Sequence, residues 1–194
     1  MRVLGVIPAR LGSTRLPNKP LQLLAGEPLI TRVIERVQDL GVLDELVVAT
    51  DSSRVADAVQ RVRGRAVLTR DSHQTGTDRV AEVAANPEFA GFDVVANIQG
   101  DEPFLPREAL TGALARVEQG EDIGTAAAPL DPALAPEPSR VKVVTDARGR
   151  ALYFSRSVIP HRREPTDSSP ELYWQHVGIY AYSRDAILRW ATLT

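Results

Sequence analysis

The chain contains no cysteine, which excludes disulfides, thiolate metal sites and cysteine nucleophiles. Its three histidines, His73, His161 and His176, lack the spacing of metal ligands, which argues against zinc. Three familiar motifs are missing: a Gly-Lys-Ser/Thr phosphate loop, a Gly-x-Gly-x-x-Gly after the first strand, and a Gly-x-Ser-x-Gly elbow. No apolar run approaches the length of a membrane span, and the chain opens on a strand pattern, not a signal peptide, so a cytoplasmic location is expected. The net charge is only −2; neither nucleic acid nor a membrane surface is expected as a partner. Lysine is nearly absent: of 23 basic residues only Lys19 and Lys142 are lysines.

What is present is ordinary for a soluble domain: 194 residues, 43% hydrophobic and 25% charged. A chain of this size buries about 70% of its unfolded surface and needs no staples. Strand and helix periods alternate. Val3–Ile7 reads as a strand and Pro28–Leu40 as a helix stopped by Gly41. A strand over Glu45–Ala49 leads to a helix capped by Ser52 that runs to about Gly64. Further strands are expected at Ala66–Thr69, Asp93–Ile98 and about Gly124–Pro129, with helices ending near Ala85 and spanning about Pro106–Gln119. This pattern predicts an α/β fold with a mostly parallel sheet covered on both faces. Beyond Pro129 it changes: Val141–Val144 and Ala151–Phe154 read as a hairpin, His161–Glu171 as a polar loop, His176–Tyr182 as a strand of a smaller second sheet, and Arg184–Trp190 as the start of a helix.

The segment Ile7-Pro8-Ala9-Arg10-Leu11-Gly12-Ser13-Thr14-Arg15-Leu16-Pro17-Asn18-Lys19-Pro20 carries the most chemical information. It follows the first strand with three cations (Arg10, Arg15, Lys19) and two small hydroxyls (Ser13, Thr14), and no acid precedes Glu27. Forked guanidinium donors, a compact ammonium, hydroxyls and backbone N–H groups together suit a polyphosphate. The end of a strand is where an open α/β sheet binds ligands.

Asp101 lies past another buried strand, in Ile98-Gln99-Gly100-Asp101-Glu102-Pro103. Facing a polyphosphate loop, its carboxylate suits Mg²⁺; alone it would read as a turn aspartate. Thr75-Gly76-Thr77, with Arg70 and Arg79 nearby, reads either as a loop offering donors to a base or ribose, or as a turn capped by Thr77. Arg156 could clamp a carboxylate, and His176 could pack or bind.

Together, Ile7-Pro8-Ala9-Arg10, Ser13-Thr14-Arg15-Leu16-Pro17, Lys19-Pro20-Leu21, Thr75-Gly76-Thr77, Asn97-Ile98-Gln99-Gly100-Asp101-Glu102-Pro103, Leu152-Tyr153-Phe154-Ser155-Arg156 and His176-Val177-Gly178-Ile179-Tyr180 resemble the CMP-Kdo synthetases (3-deoxy-manno-octulosonate cytidylyltransferases). The resemblance runs from residue 3 to about 182. It implies a Rossmann-like nucleotidyltransferase fold, one domain over 1–194, with a nucleotide-binding part over 1–129 and a sugar-binding and dimerisation sheet over 130–194. It implies the reaction of CTP with Kdo (3-deoxy-D-manno-octulosonate) to give CMP-Kdo and pyrophosphate, for lipopolysaccharide or capsule synthesis, by a homodimer using Mg²⁺. By the same resemblance Arg15 and Lys19 are catalytic, and Ala9, Arg10, Ser13, Thr14, Arg70, Thr75, Gly76 and Gln99 bind the nucleotide. Asp101 binds the metal, and Arg156, His176 and Tyr180 line the sugar pocket. Members of the family continue past the equivalent of Thr194 with a second Mg²⁺-binding aspartate, so the sugar part is expected to be incomplete here.

Overall fold

The apolar run Val3–Ala9 forms β1 in the computed structural model, which describes residues 1–12, 16–161 and 172–192. After a 3-10 turn at Lys19–Leu21, a two-stranded ribbon of β2 (Leu23–Leu24) and β3 (Glu27–Pro28) leads into α1 (Leu29–Leu40). In α1 the buried positions Ile30, Val33, Ile34, Val37 and Leu40 recur at helical spacing. Next come β4 (Glu45–Thr50), α2 (Ser53–Arg61), β5 (Arg65–Leu68), α3 (Gly76–Ala85), β6 (Val94–Asn97) and α4 (Arg107–Glu118). The rest of the chain supplies β7 (Ile123–Pro129), β8 (Lys142–Thr145), β9 (Ala151–Ser155), β10 (Trp174–Ser183) and α5 (Arg184–Trp190).

Two compact units result, Met1–Gly124 with Ile179–Thr194, and Thr125–Gly178. In the first, the strands lie in the order β5-β4-β1-β6-β10. The first four are parallel, with Leu4 opposite Glu45, Val3 opposite Val94, and Val47 opposite Arg65. The end of β10 closes this row antiparallel, Tyr180 opposite Asn97. Leu4 and Val6 of β1 pack with Val80, Val83 and Ala84 of α3 and Ile187 of α5. Ile7, on the alternate face, lies near Ile30 of α1 beside Gly100. The mostly parallel α/β sheet is thus as the periodicity predicts.

The connectivity fixes where a ligand can sit. From β1 the chain moves outward to β4 and β5, then crosses back to β6 on the other side of β1. The strand order reverses between β1 and β6, and at such a point an open α/β sheet binds ligands in the crevice beyond the carboxyl ends of its strands.

In the second unit, β8 and β9 form the expected hairpin, Lys142 opposite Ser155 and Val143 opposite Phe154. The beginning of β10 pairs with β8, Gln175 opposite Lys142. The strand expected to belong wholly to the smaller sheet therefore serves both units. Most of the expected loop His161–Glu171 lies outside the described residues.

Candidate active site

At the switch point, Pro8, Ala9, Arg10, Lys19, Pro20, Gln99, Gly100 and Asp101 line a cleft of about 160 Å³. Two close approaches shape it. A Cβ on Gly100 would lie 3.3 Å from the Pro8 carbonyl oxygen, and one on Gly76 would lie 3.2 Å from Pro8 Cγ. Both contacts are tight for a side chain, so Pro8 is the post against which the Gln99–Asp101 loop and the start of α3 rest. Three segments far apart in sequence meet there.

The Lys19 ammonium donates to Asp101 Oδ2. Asn18, with φ of 53°, precedes the 3-10 turn that carries Lys19, and its N–H donates to the Leu11 carbonyl at 3.3 Å. That bond closes the loop after β1 and brings its cation back over the end of β6. Arg10 is exposed at the cleft, Ala9 buried and Gln99 half-buried. Glu102 is held above the usual carboxylate range, first by burial and then by the Asp101 charge, with Lys19 opposing both. Ser13, Thr14 and Arg15, expected to complete the cradle, lie outside the described residues.

The loop before α3 divides its labour differently from the sequence expectation. Thr75, not Thr77, caps α3: its hydroxyl accepts from Asp78 N at 3.1 Å while Asp78 Oδ2 accepts from Thr75 N at 2.8 Å, a reciprocal capping box. Thr75 has the extended backbone that an N-cap requires, whereas Thr77 is already inside the helix. Arg70 is exposed and does not line the cleft; its N–H donates to Glu82 Oε2 at 3.1 Å and its Nε lies 3.7 Å from the same oxygen. His73 also contacts this carboxylate. Burial opposes ionisation of Glu82, but His73 and the Arg70 N–H prevail and hold its pKa below the ordinary value.

Arg79 faces inward. Its side chain is 2% exposed, with Nη2 donating to Asp51 Oδ2 at 2.8 Å and Nη1 to the Thr69 hydroxyl. It ties the ends of β4 and β5 to α3.

Asn97 and Tyr182 escape the sequence reading. Burial raises the Tyr182 pKa, with the neighbouring Thr77 and Asn97 side chains opposing it. Asn97 Oδ1 is buried with no hydrogen-bond partner among the described residues. The available signal was a lone amide closing the apolar run Val94-Val95-Ala96. Tyr180 stacks on Tyr182 with centroids 6.1 Å apart, and burial raises its pKa.

In the second unit, the His176 ring meets Phe154 edge-on at 4.9 Å, and its Nε2 lies 2.9 Å from the Thr125 hydroxyl. Burial holds its pKa below the ordinary value. Arg156 is exposed, with Nη1 donating to the Pro138 carbonyl at 2.8 Å. His176 and Tyr180 lie on one strand but in different units.

A second cleft of about 230 Å³ lies at the opposite ends of the strands, by Gly41–Leu46. Its acids are engaged elsewhere: Asp44 Oδ2 accepts from Val3 N at 2.6 Å and Glu45 pairs with Arg65.

Proteins of known family are similar to this chain along its length. The cytidylyltransferase family model matches residues 4–191. The 3-deoxy-manno-octulosonate cytidylyltransferase of Gemmatimonas aurantiaca is 54% identical over 195 residues, covering 99% of this chain and 76% of the relative. The solved structure of a CMP:2-keto-3-deoxy-manno-octonic acid synthetase complexed with CTP superposes with a TM-score of 0.88 at 41% identity, over 100% of this chain and 79% of that one. A 4-diphosphocytidyl-2C-methyl-D-erythritol synthase shares the fold alone, with a TM-score of 0.63 at 16% identity, over 100% of this chain and 80% of its own. With more than half of its residues shared along nearly its whole length, this chain belongs to the cytidylyltransferase family, among the 3-deoxy-manno-octulosonate cytidylyltransferases.

Proposed function

We propose that the chain transfers a cytidylyl group from CTP to Kdo, giving CMP-Kdo and pyrophosphate. The Lys19–Asp101 pair, set in the switch-point cleft beside Arg10 and Gln99, carries this reading. The sugar's anomeric hydroxyl attacks the α-phosphorus and gives up its proton to solvent. The bond from that phosphorus to its bridging oxygen breaks, and pyrophosphate leaves with the electron pair. No covalent intermediate on the protein is needed, so alignment and charge neutralisation do the catalysis.

Arg10 and Lys19 take the phosphate charge, Arg10 as a fork and Lys19 as a compact point charge. Ser13, Thr14 and the catalytic Arg15 complete the cradle by family resemblance. Ala9, Gln99, Thr75, Gly76 and Arg70 are assigned to the nucleoside. Arg156, His176 and Tyr180 receive the acid sugar, Arg156 through its carboxylate.

Asp101 is proposed to hold Mg²⁺. Among the described residues no three acidic, histidine or cysteine side chains converge for a metal. A single carboxylate facing a phosphate cradle nevertheless suits Mg²⁺, which completes its octahedron with phosphate oxygens and water. When bound, the ion supplies positive charge to the phosphate oxygens.

A cytoplasmic homodimer serving lipopolysaccharide or capsule synthesis completes the proposal. Self-association is supported by the edge strand β9, on which Leu152, Tyr153 and Phe154 are exposed. Light scattering is expected to give twice the 21.1 kDa chain mass.

The deciding measurement is pyrophosphate release from CTP with Mg²⁺ and a panel of acid sugars: Kdo, an amino-Kdo and a sialate. Turnover with Kdo is expected. Turnover with another sugar alone overturns the acceptor, and CTP binding without release from any sugar overturns the catalytic reading.

A further inference from the structure

We propose that Lys142 is a positioning residue for Arg156, and through it for the carboxylate of the acceptor; this rests on the role given to Arg156 above. Lys142 opens β8 and is fully buried. Its Nζ donates to three backbone carbonyls: Arg156 at 2.6 Å, Arg140 at 2.7 Å and Glu137 at 3.2 Å. An ammonium has three N–H donors, so each finds an acceptor. No carboxylate pairs with it among the described residues.

A buried charge is tolerated only where its donors are satisfied. The three carbonyls are therefore held in place around Nζ, and two of them lie in the turn 137–140. Arg156 is bound to that turn twice. Its own carbonyl shares the Lys142 ammonium, and its guanidinium donates to the Pro138 carbonyl at 2.8 Å. The turn is anchored in its own right by Arg140 Nη1, which donates to Gln175 Oε1 at 2.9 Å, and just after it His176 N donates to the Val141 carbonyl at 2.8 Å.

Arg156 is exposed, and a free arginine side chain loses rotamer entropy when it is ordered. Anchoring both its backbone and its guanidinium beforehand reduces what remains to be lost when a carboxylate binds. A hydrophobic filler at 142 would complete the packing without gathering the turn. The ammonium in an arginine-dominated chain is thus explained by its three-way, compact donor geometry, which a planar guanidinium does not match.

The test is Lys142→Met in the whole chain, with steady-state KM measured separately for Kdo and for CTP. One charge-assisted contact is at stake, so KM for Kdo is expected to rise about tenfold, while KM for CTP stays within about twofold. In an Arg156→Ala background the same change is expected to add nothing further to KM for Kdo. An unchanged KM for Kdo, an equal rise in both KM values, or effects of the two variants that multiply would each overturn the proposal. If Lys142→Met does not fold, Lys142→Gln, neutral but still able to donate two hydrogen bonds, takes its place under the same criteria. Hydrogen exchange at the Arg156 guanidinium, read by NMR without substrate, is expected to quicken about tenfold in the variant; no change overturns the link. Should the wild-type chain fail to turn over Kdo, the assigned reaction fails, and guanidinium exchange still decides whether Lys142 fixes Arg156.

Discussion

Lys19 and Asp101 form an ion pair across 82 residues of sequence, joining the loop after β1 to the loop after β6. Their side chains are 37% and 41% exposed, and a pair so open to water contributes about 0–1 kcal/mol to stability. The fold does not need it. Placed in the switch-point cleft, the pair is better explained by what a polyphosphate and its cation require.

Lys19→Ala therefore separates folding from function. Urea unfolding is expected to change by less than about 1 kcal/mol. Turnover is expected to fall about 10²- to 10³-fold, as for loss of one electrostatic contact to developing charge. CTP affinity should fall less, because the other cations of the cradle remain. Calorimetry and pyrophosphate release read the two quantities; turnover near wild type would remove Lys19 from the mechanism.

His176 makes the second unit sensitive to pH. Burial depresses its folded pKa below 6.5, so the unfolded chain binds the proton more readily. Its stabilising contribution is fully present above the ordinary histidine value and is lost as pH falls from 6.5 through the depressed folded value. A histidine NMR titration should place its midpoint below 6.5. Unfolding measured across the same window should flatten in His176→Gln, and an equal slope in both proteins would assign the effect to another group.

The cleft was legible in the sequence because loops at strand ends carry their chemistry in short, local strings. Arg10, Lys19, Gln99 and Asp101 sit in such strings, and the α/β alternation put them at the same end of the sheet. What could not be read was the fate of individual charges. Arg70 and Arg79 are chemically alike and nine residues apart; one is exposed on Glu82, the other buried on Asp51. Only tertiary packing distinguishes them. Strand β10 is a similar case: its period of two marks a strand but names no neighbour, so its pairing with both β6 and β8 came from the structure. Thr75 took the cap from Thr77 because Asp78 stands three residues after it, a capping-box spacing present in the sequence.

The β2–β3 ribbon carries a correctable strain. Its two turn residues both have positive φ, Ala25 at 51° and Gly26 at 85°, the pairing that a type I′ hairpin demands. Alanine is disfavoured in that region by about 1 kcal/mol, whereas asparagine tolerates it. Ala25→Asn is expected to stabilise the chain by about 0.5–1 kcal/mol in urea unfolding, with turnover unchanged. A loss of stability would mean that the turn relaxes by another route.

Arg79 and Asp51 offer the opposite case to Lys19 and Asp101, since the Arg79 guanidinium is buried where β4, β5 and α3 meet. Truncating one member of a buried pair leaves a charge without its partner, at a cost of about 3–5 kcal/mol. Arg79→Ala should lower stability by that order in urea unfolding. Removing both charges with Arg79→Met and Asp51→Asn should recover most of the loss, because no unpaired charge remains. The start of α3 rests on Pro8 through Gly76, so CTP affinity in the double variant reads whether the pair also holds the cleft in shape. Full stability with weakened CTP binding would assign Arg79 to site geometry. A loss below about 1 kcal/mol in the single variant would show that the site relaxes around the missing guanidinium.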